Sequence, residues 1–162
     1  IFGCPEGYMN FKYYYPNYLG TLPFQVVHLT DILASRLEES DISFRQDGKE
    51  TVTYHDPCRL GRWSGIYEHP RDMIRQIAGT NFTEMPRNKE SALCCGTTAW
   101  MECSSCSKAM QIERLNEAVQ SDANTLITAC PKCQIHFTCA KSNTEIDIQI
   151  KDIYTYLAEN IE

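Results

Sequence analysis

An α/β fold built on a mostly parallel sheet is predicted by three features of the chain. Short strand-like runs alternate with helix-like stretches, proline and glycine punctuate the boundaries, and cysteines follow the strand-like runs. The first run, Thr51-Val52-Thr53-Tyr54-His55, is β-branched and aromatic. Pro70 to Ala78 then carries Met73, Ile74 and Ile77 at helical spacing and stops at Gly79. Ser91-Ala92-Leu93-Cys94-Cys95, short and apolar, is expected to be the next strand. A long helix is expected from Ser104 to Ser121, with Ala109, Ile112, Leu115 and Val119 as its apolar positions. Thr125-Leu126-Ile127-Thr128-Ala129 reads as a buried strand, and Gln149-Ile150-Lys151-Asp152 as a short strand running into a last helix faced by Ile153, Leu157 and Ile161. Strands separated by helices favour parallel pairing through right-handed crossovers, so the expected fold is Rossmann-like.

Composition bounds the rest. A chain of 162 residues, 43% hydrophobic, buries roughly 68 to 70% of its unfolded surface, enough for one well-cored domain, alone or with a fragment of another. Nine cysteines is an odd number, and no signal peptide precedes them after Ile1, which favours a reduced, cytoplasmic setting over a secreted disulfide scaffold. No apolar run nears the roughly 18 residues that suggest a membrane span, so any membrane association is expected to run through a partner. A net charge of -6 argues against a nucleic-acid surface.

The two ends of the chain resemble each other. Ile1-Phe2-Gly3-Cys4-Pro5 and the Phe11 that follows match Ile127-Thr128-Ala129-Cys130-Pro131 and Phe137 in their apolar lead, Cys-Pro and Phe. Val27-His28-Leu29-Thr30-Asp31-Ile32-Leu33 likewise matches the strand-to-helix passage at 149–154. A tandem duplication is expected, with residues 1–47 the trailing part of an upstream copy and 48–162 one complete copy.

Five of the nine cysteines form an ordered constellation: Cys58, then Cys94 and Cys95 before Gly96, then Cys130-Pro131-Lys132-Cys133. Thirty-five residues separate the first from the pair, and thirty-four separate the pair from the Cys-x-x-Cys. One tetrahedral zinc takes four ligands, and adjacent cysteines make poor disulfide partners, whereas soft thiolates gathered at one point suit an iron–sulfur cluster. All three groups are expected at strand carboxyl ends, the edge on which open α/β sheets bind ligands. Pro57 and Pro131 read as first-turn helix residues, which puts Cys130 near an N-cap where backbone N–H groups favour thiolate. Gly96 is expected to let the backbone approach an inorganic ligand closely.

The remaining candidates are weaker. Cys103 and Cys106 form a second Cys-x-x-Cys, but a zinc ribbon with Cys130 and Cys133 needs a twenty-three-residue gap where roughly 15 to 20 is usual. It also leaves Cys58, Cys94 and Cys95 without a role. Cys139 is expected to be a small core residue. Arg59 and Arg62 suit the anionic end of a thiol substrate or the charge of a cluster. His55 and His136 flank the cysteine segments; a proton shuttle is one role, with a structural hydrogen bond for His55 and solvent exposure for His136 as the plainer ones. Tyr13, Tyr14, Tyr15 and Tyr18 are expected to pack a helix or a partner, and Trp63 and Trp100 to shield the cysteines or simply pack the core.

Taken together with Tyr54-His55-Asp56-Pro57-Cys58-Arg59-Leu60-Gly61 and Ile127-Thr128-Ala129, the cysteine pattern resembles the cysteine-rich CCG domain of heterodisulfide reductase B and D subunits and related iron–sulfur oxidoreductase subunits. The resemblance covers nearly all of residues 51–140. It implies a Rossmann-like domain that occurs in tandem and a non-cubane [4Fe–4S] cluster that reacts with a disulfide. It also implies Cys58, Cys94, Cys95, Cys130 and Cys133 as ligands, with Cys94 and Cys95 acting through the cluster. In the upstream segment the position matching Cys133 is Gly7, so that copy lacks at least one ligand. Opening a disulfide takes two electrons while one cluster usually delivers one, which bears on the mechanism. Three function classes follow: a disulfide oxidoreductase, an electron-relay subunit working with ferredoxin-like, flavin or quinone-linked partners, and a zinc-stabilised interaction module.

Overall fold

The computed structural model describes residues 1–39, 42–45, 50–77, 79–97 and 104–162; Ala78, Trp100, Cys103 and the expected boundary at 47 and 48 lie outside them. Among the described residues β1 (Thr51–His55), β2 (Asn81–Thr83), β3 (Thr125–Thr128) and β4 (Gln149–Asp152) form one sheet, all parallel, in the order β2-β1-β3-β4. The α/β expectation is met. The helices are α1 (Pro5–Met9), which runs on through a π-helical turn at Asn10–Tyr14, α2 (Pro16–Leu19), α3 (Leu29–Glu38), α4 (Glu68–Arg75), α5 (Ser105–Gln120), α6 (Pro131–Lys141) and α7 (Ile153–Asn160).

Strand alternation sorts the core into two layers. Val52 and Tyr54 of β1 and Ile127 of β3 face α4 and α7, where Met73, Ile74, Ile153 and Leu157 complete one cluster. On the opposite face, Leu126 packs with Leu115 and Ala118 of α5 and Cys133, Phe137 and Ala140 of α6. His55, next to Tyr54 and therefore on this second face, meets the Phe137 ring edge-on at 4.8 Å. Successive connections leave β1 for β2 on one side and β3 for β4 on the other, so the order reverses between β1 and β3. The carboxyl ends of those two strands flank the crevice where such sheets take ligands.

Three local expectations are corrected. Ser91–Cys95 is not a strand: a 3₁₀ turn occupies Lys89–Ser91 and the cysteine pair follows in a loop, while the strand is Asn81–Thr83. That strand is a short, partly exposed edge, which leaves no apolar run to read; Ala92 is buried, and Cys95 closes against the second core layer. Pro57 opens a series of tight turns, with the Leu60 and Gly61 amides both bonded to its carbonyl, and no regular helix. Helix α5 lies close to its expected ends, with Ser104 capping the Ser107 amide, but its buried stripe is Ser107, Gln111, Arg114, Leu115 and Ala118; Ala109 and Val119 are exposed. The stripe escaped apolar pattern-matching because it is partly polar.

At the amino-terminal end, Phe2 pairs in parallel with His28, and Leu29 donates back to the Phe2 carbonyl at 2.8 Å. Thr128 pairs in parallel with Asp152 in the same positions relative to Cys-Pro and to the following capped helix. Cys4 and Cys130 are the N-caps of α1 and α6, each followed by proline at the first helical position. A Cβ at Gly7 would stand 3.0 Å from the Phe2 ring, so an aromatic ring crowds the position that matches Cys133. Tyr13, Tyr14, Tyr15 and Tyr18 do not pack into the core: each is at least 40% exposed.

His28 is buried and caps α3 through Nδ1, which also lies 2.7 Å from the Thr30 hydroxyl. Burial lowers its pKa from 6.5 to about 4, with Asp31 opposing weakly. The unfolded chain therefore binds more protons in that interval, and the contribution is whole above pH 6.5 and lost as pH falls toward about 4. Urea unfolding at pH 7, 5 and 4 should show His28→Asn, which keeps a capping oxygen, escaping roughly 3 kcal/mol of acid destabilisation that the native chain suffers.

Candidate metal centre

The five cysteines of the constellation converge at the reversal point. Cys58 comes from the turns after β1, Cys94 and Cys95 from the loop after Lys89–Ser91, and Cys130 and Cys133 from the start of α6. Thiol–thiol hydrogen bonds link them in one run, Cys58 and Cys95 donating to Cys94, and Cys133 donating to Cys95 and Cys130. The sulfurs border a cavity of about 400 Å³ whose rim carries Glu6, Arg59, Arg62, Trp63 and Lys132. A ring nitrogen of His55 and the Sγ atoms of Cys95 and Cys133 all lie within 4.8 Å of one another.

Electrostatics divides the thiols. Cys94 is pulled well below its ordinary pKa because Cys58 and then Cys95 donate S–H to it, with the Gly96 amide adding a backbone donor. Cys130 falls to about 7, chiefly through the S–H of Cys133, helped by the Cys133 and Lys132 amides at the α6 amino terminus. Cys58 and Cys133 move up, as expected of thiols that keep protons beside a thiolate. Burial, then Arg114, holds His55 neutral. Soft donors gathered at one point suit a polynuclear thiophilic centre, and five exceed what one tetrahedral ion takes.

Arginine contacts hold the Cys58 segment and the segment leading to Cys94 and Cys95 in register. Arg71, fully buried in α4, places both terminal nitrogens on Asp56 at 2.7 and 2.9 Å and bonds Glu84 with Nε at 2.7 Å. Asp56 also accepts the Lys89 amide at 2.8 Å; Lys89 has φ +51, a strained value for a side-chain-bearing residue that this bond helps to hold. Arg62 donates to the Glu90 and Ala92 carbonyls at 3.2 and 2.7 Å, tying the Cys58 turns to the Cys94 loop. Arg114 of α5 reaches the Arg87 carbonyl, Glu117 and His55 Nδ1, the last at 3.2 Å.

Arg59 lies at the rim, paired with Glu6 at 3.3 Å and stacked over Trp63 at 5.4 Å. Trp63 is 59% exposed there and does not pack the core. His136 is half-buried and its Nδ1 lies 3.0 Å from Gln111 Nε2. Gly96 has φ +73, and a Cβ there would stand 2.6 Å from the Ser107 carbonyl, so its lack of a side chain serves close packing on α5. Cys139 is exposed and touches Lys108 Nζ at 3.1 Å, which corrects its expected place in the core; Cys106 is also exposed, whereas Cys130 and Cys133 are buried. Asp56, Arg71, Arg114, Lys132 and Glu6 were not singled out from sequence. Asp56, next to Pro57-Cys58, and an arginine in step with Leu115 and Ala118 were the available signals.

Fold and site together define a parallel α/β domain with a sulfur-lined pocket at the carboxyl edge of its sheet. The chain belongs to the cysteine-rich CCG domain family, whose model matches residues 52–138. It is 34% identical over 98% of its length to the D subunit of the dihydromethanophenazine:CoB–CoM heterodisulfide reductase of Methanosarcina barkeri, and spans 40% of that relative. The probable iron-sulfur-binding oxidoreductase FadF of Bacillus subtilis is 28% identical over 97% of the chain, which spans 23% of it. The EtfAB:quinone oxidoreductase of Syntrophomonas wolfei is 32% identical over 80% of the chain, which spans 19% of it. Among the described residues no helix is long and apolar enough to cross a membrane.

Replacing Arg71 with methionine leaves Asp56 buried beside a neutral side chain. Urea denaturation should show a loss of about 3–5 kcal/mol, the usual consequence of removing one partner of a buried ion pair. Asp56→Asn, which keeps an acceptor for the Lys89 amide, should lose less.

Proposed function

We propose that the pocket holds an iron–sulfur cluster on Cys58, Cys94, Cys95, Cys130 and Cys133, and that the chain is a redox unit of a larger oxidoreductase. The observation that carries this reading is the unbroken run of thiol contacts from Cys58 to Cys130 around one cavity. A cluster bound there supplies one-electron transfer and an iron or sulfide able to engage sulfur. Five ligands, two of them adjacent, favour the non-cubane [4Fe–4S] form over a cubane held by four cysteines. The oxidoreductases named among the relatives support a redox role.

The residues around the cavity favour a small disulfide with an anionic end as substrate. Arg59 and Lys132 stand at the rim on either side of Glu6, at 3.3 and 3.7 Å, where cationic groups suit a sulfonate, carboxylate or phosphate. Arg62 lines the same cavity but spends a terminal nitrogen on two carbonyls, so its contribution to substrate is secondary to holding the Cys94 loop. Trp63 at the mouth offers an apolar wall. Cys94 and Cys95 act through the cluster, and His55 lies against the same sulfurs.

A second reading, an electron relay between ferredoxin-like, flavin or quinone-linked subunits, is favoured by Phe2 crowding Gly7. If residues 1–47 end a degenerate upstream repeat and 48–162 form the complete one, as the paired bridges at Phe2 and Thr128 suggest, the upstream half lacks the ligand needed for a matching second cluster. Either reading suits a cytoplasmic subunit whose membrane association runs through a partner.

Anaerobically purified protein should be brown, carry about four irons per chain and show a paramagnetic signal in one redox state. A colourless, zinc-loaded protein would overturn the cluster assignment. Cys94→Ser or Cys95→Ser should lose iron and thermal stability together, because ligation energy is also folding energy, whereas Cys139→Ser should lose neither. Titration with anionic heterodisulfides should perturb the signal; a signal indifferent to all of them selects the relay.

A further inference from the structure

We propose that His55 is a fixed N–H donor to the sulfur cage and not one of its ligands, and that Arg114 is the positioning residue that decides this. The inference rests on the cluster reading above. His55 ends β1 and is 1% exposed, its ring trapped edge-on against Phe137 at 4.8 Å. Its Nδ1 receives Arg114 Nε–H at 3.2 Å. A guanidinium offers donors and no acceptor, so Nδ1 must present its lone pair and the proton of the neutral ring must sit on Nε2. A doubly protonated ring would set N–H against N–H. Arg114 is itself immobilised, fully buried and bonded to Glu117 at 2.6 Å and to the Arg87 carbonyl.

Among the described residues His55 Nε2 is buried with no hydrogen-bond partner, and an imidazole nitrogen is grouped with the Cys95 and Cys133 sulfurs. Carrying a proton, Nε2 has no lone pair for iron. It does have an N–H that points nowhere else, and thiolate or sulfide is the acceptor at hand. A hydrogen bond to a cluster sulfur is stronger when the cluster holds the extra electron, so it favours the reduced state and raises the potential. Arg114 thereby sets an electronic property of the site through His55.

The test uses iron-loaded protein, native and with His55→Leu, His55→Gln, Arg114→Met and Arg114→Lys. In native protein labelled with ¹⁵N-histidine, pulsed paramagnetic resonance should show the weak nitrogen coupling of a hydrogen-bond donor; coupling of the size given by a directly bound imidazole overturns the proposal and needs no variant. In redox titrations at the native midpoint, His55→Leu and Arg114→Met should keep their iron but lower the reduced-to-oxidised ratio about tenfold, which is about 59 mV for one electron. Arg114→Lys and His55→Gln, which keep a donor, should recover part of it. Unchanged ratios with full iron content overturn the tuning role while leaving the cluster assignment intact, whereas native protein that binds no iron overturns both.

Discussion

A buried carboxylate one residue past a central strand must find its counter-charge inside the protein, and Asp56 finds it in Arg71. An isolated charge there would cost several kcal/mol, so the pair forces α4, the end of β1 and the Glu84–Lys89 segment to meet in one geometry. The cysteines inherit that geometry. Cys58 lies two residues beyond Asp56, and the Cys94 loop begins from the strained Lys89 whose amide Asp56 accepts.

Thiols cannot organise such a site unaided. Their mutual hydrogen bonds are weak, and each ionisation raises the cost of the next. The chain answers with charged groups set behind the sulfurs: Arg62 holds the loop carbonyls, Arg114 holds Arg87 and His55, and the α6 amides help lower Cys130 to about 7. The walls that carry Cys58 and the Cys94–Cys95 pair are therefore fixed largely by guanidinium groups. Arg59 and Lys132 stand at the mouth of the cavity, both paired with Glu6.

The cysteine spacing made the site legible because ligation chemistry is local: a Cys-Pro-x-Cys opening a helix, an adjacent pair before glycine and a cysteine after a β-branched run each declare themselves over a few residues. The strands β1 and β3 were legible for the same reason, being short apolar runs between turn signals. The supporting residues were not. Arg114 and Gln111 look like solvent-facing positions of an amphipathic helix, yet they are buried, with hydrogen bonds to His55 and His136. Edge strand β2, three partly exposed residues, carries no pattern strong enough to compete with the apolar Ala92–Cys95 stretch.

By itself the sequence determined the alternation of strand and helix, the five sulfur donors and the edge of the sheet they would share, since each follows from side-chain type and near-neighbour spacing. Only the tertiary structure decided that the cysteine pair sits in a loop, that Gly96 yields to helix α5, that Cys139 faces outward and that His55 Nδ1 is taken by an arginine fifty-nine residues away. Those outcomes depend on which distant groups are brought within hydrogen-bonding range, and chain closure, not local propensity, sets that distance.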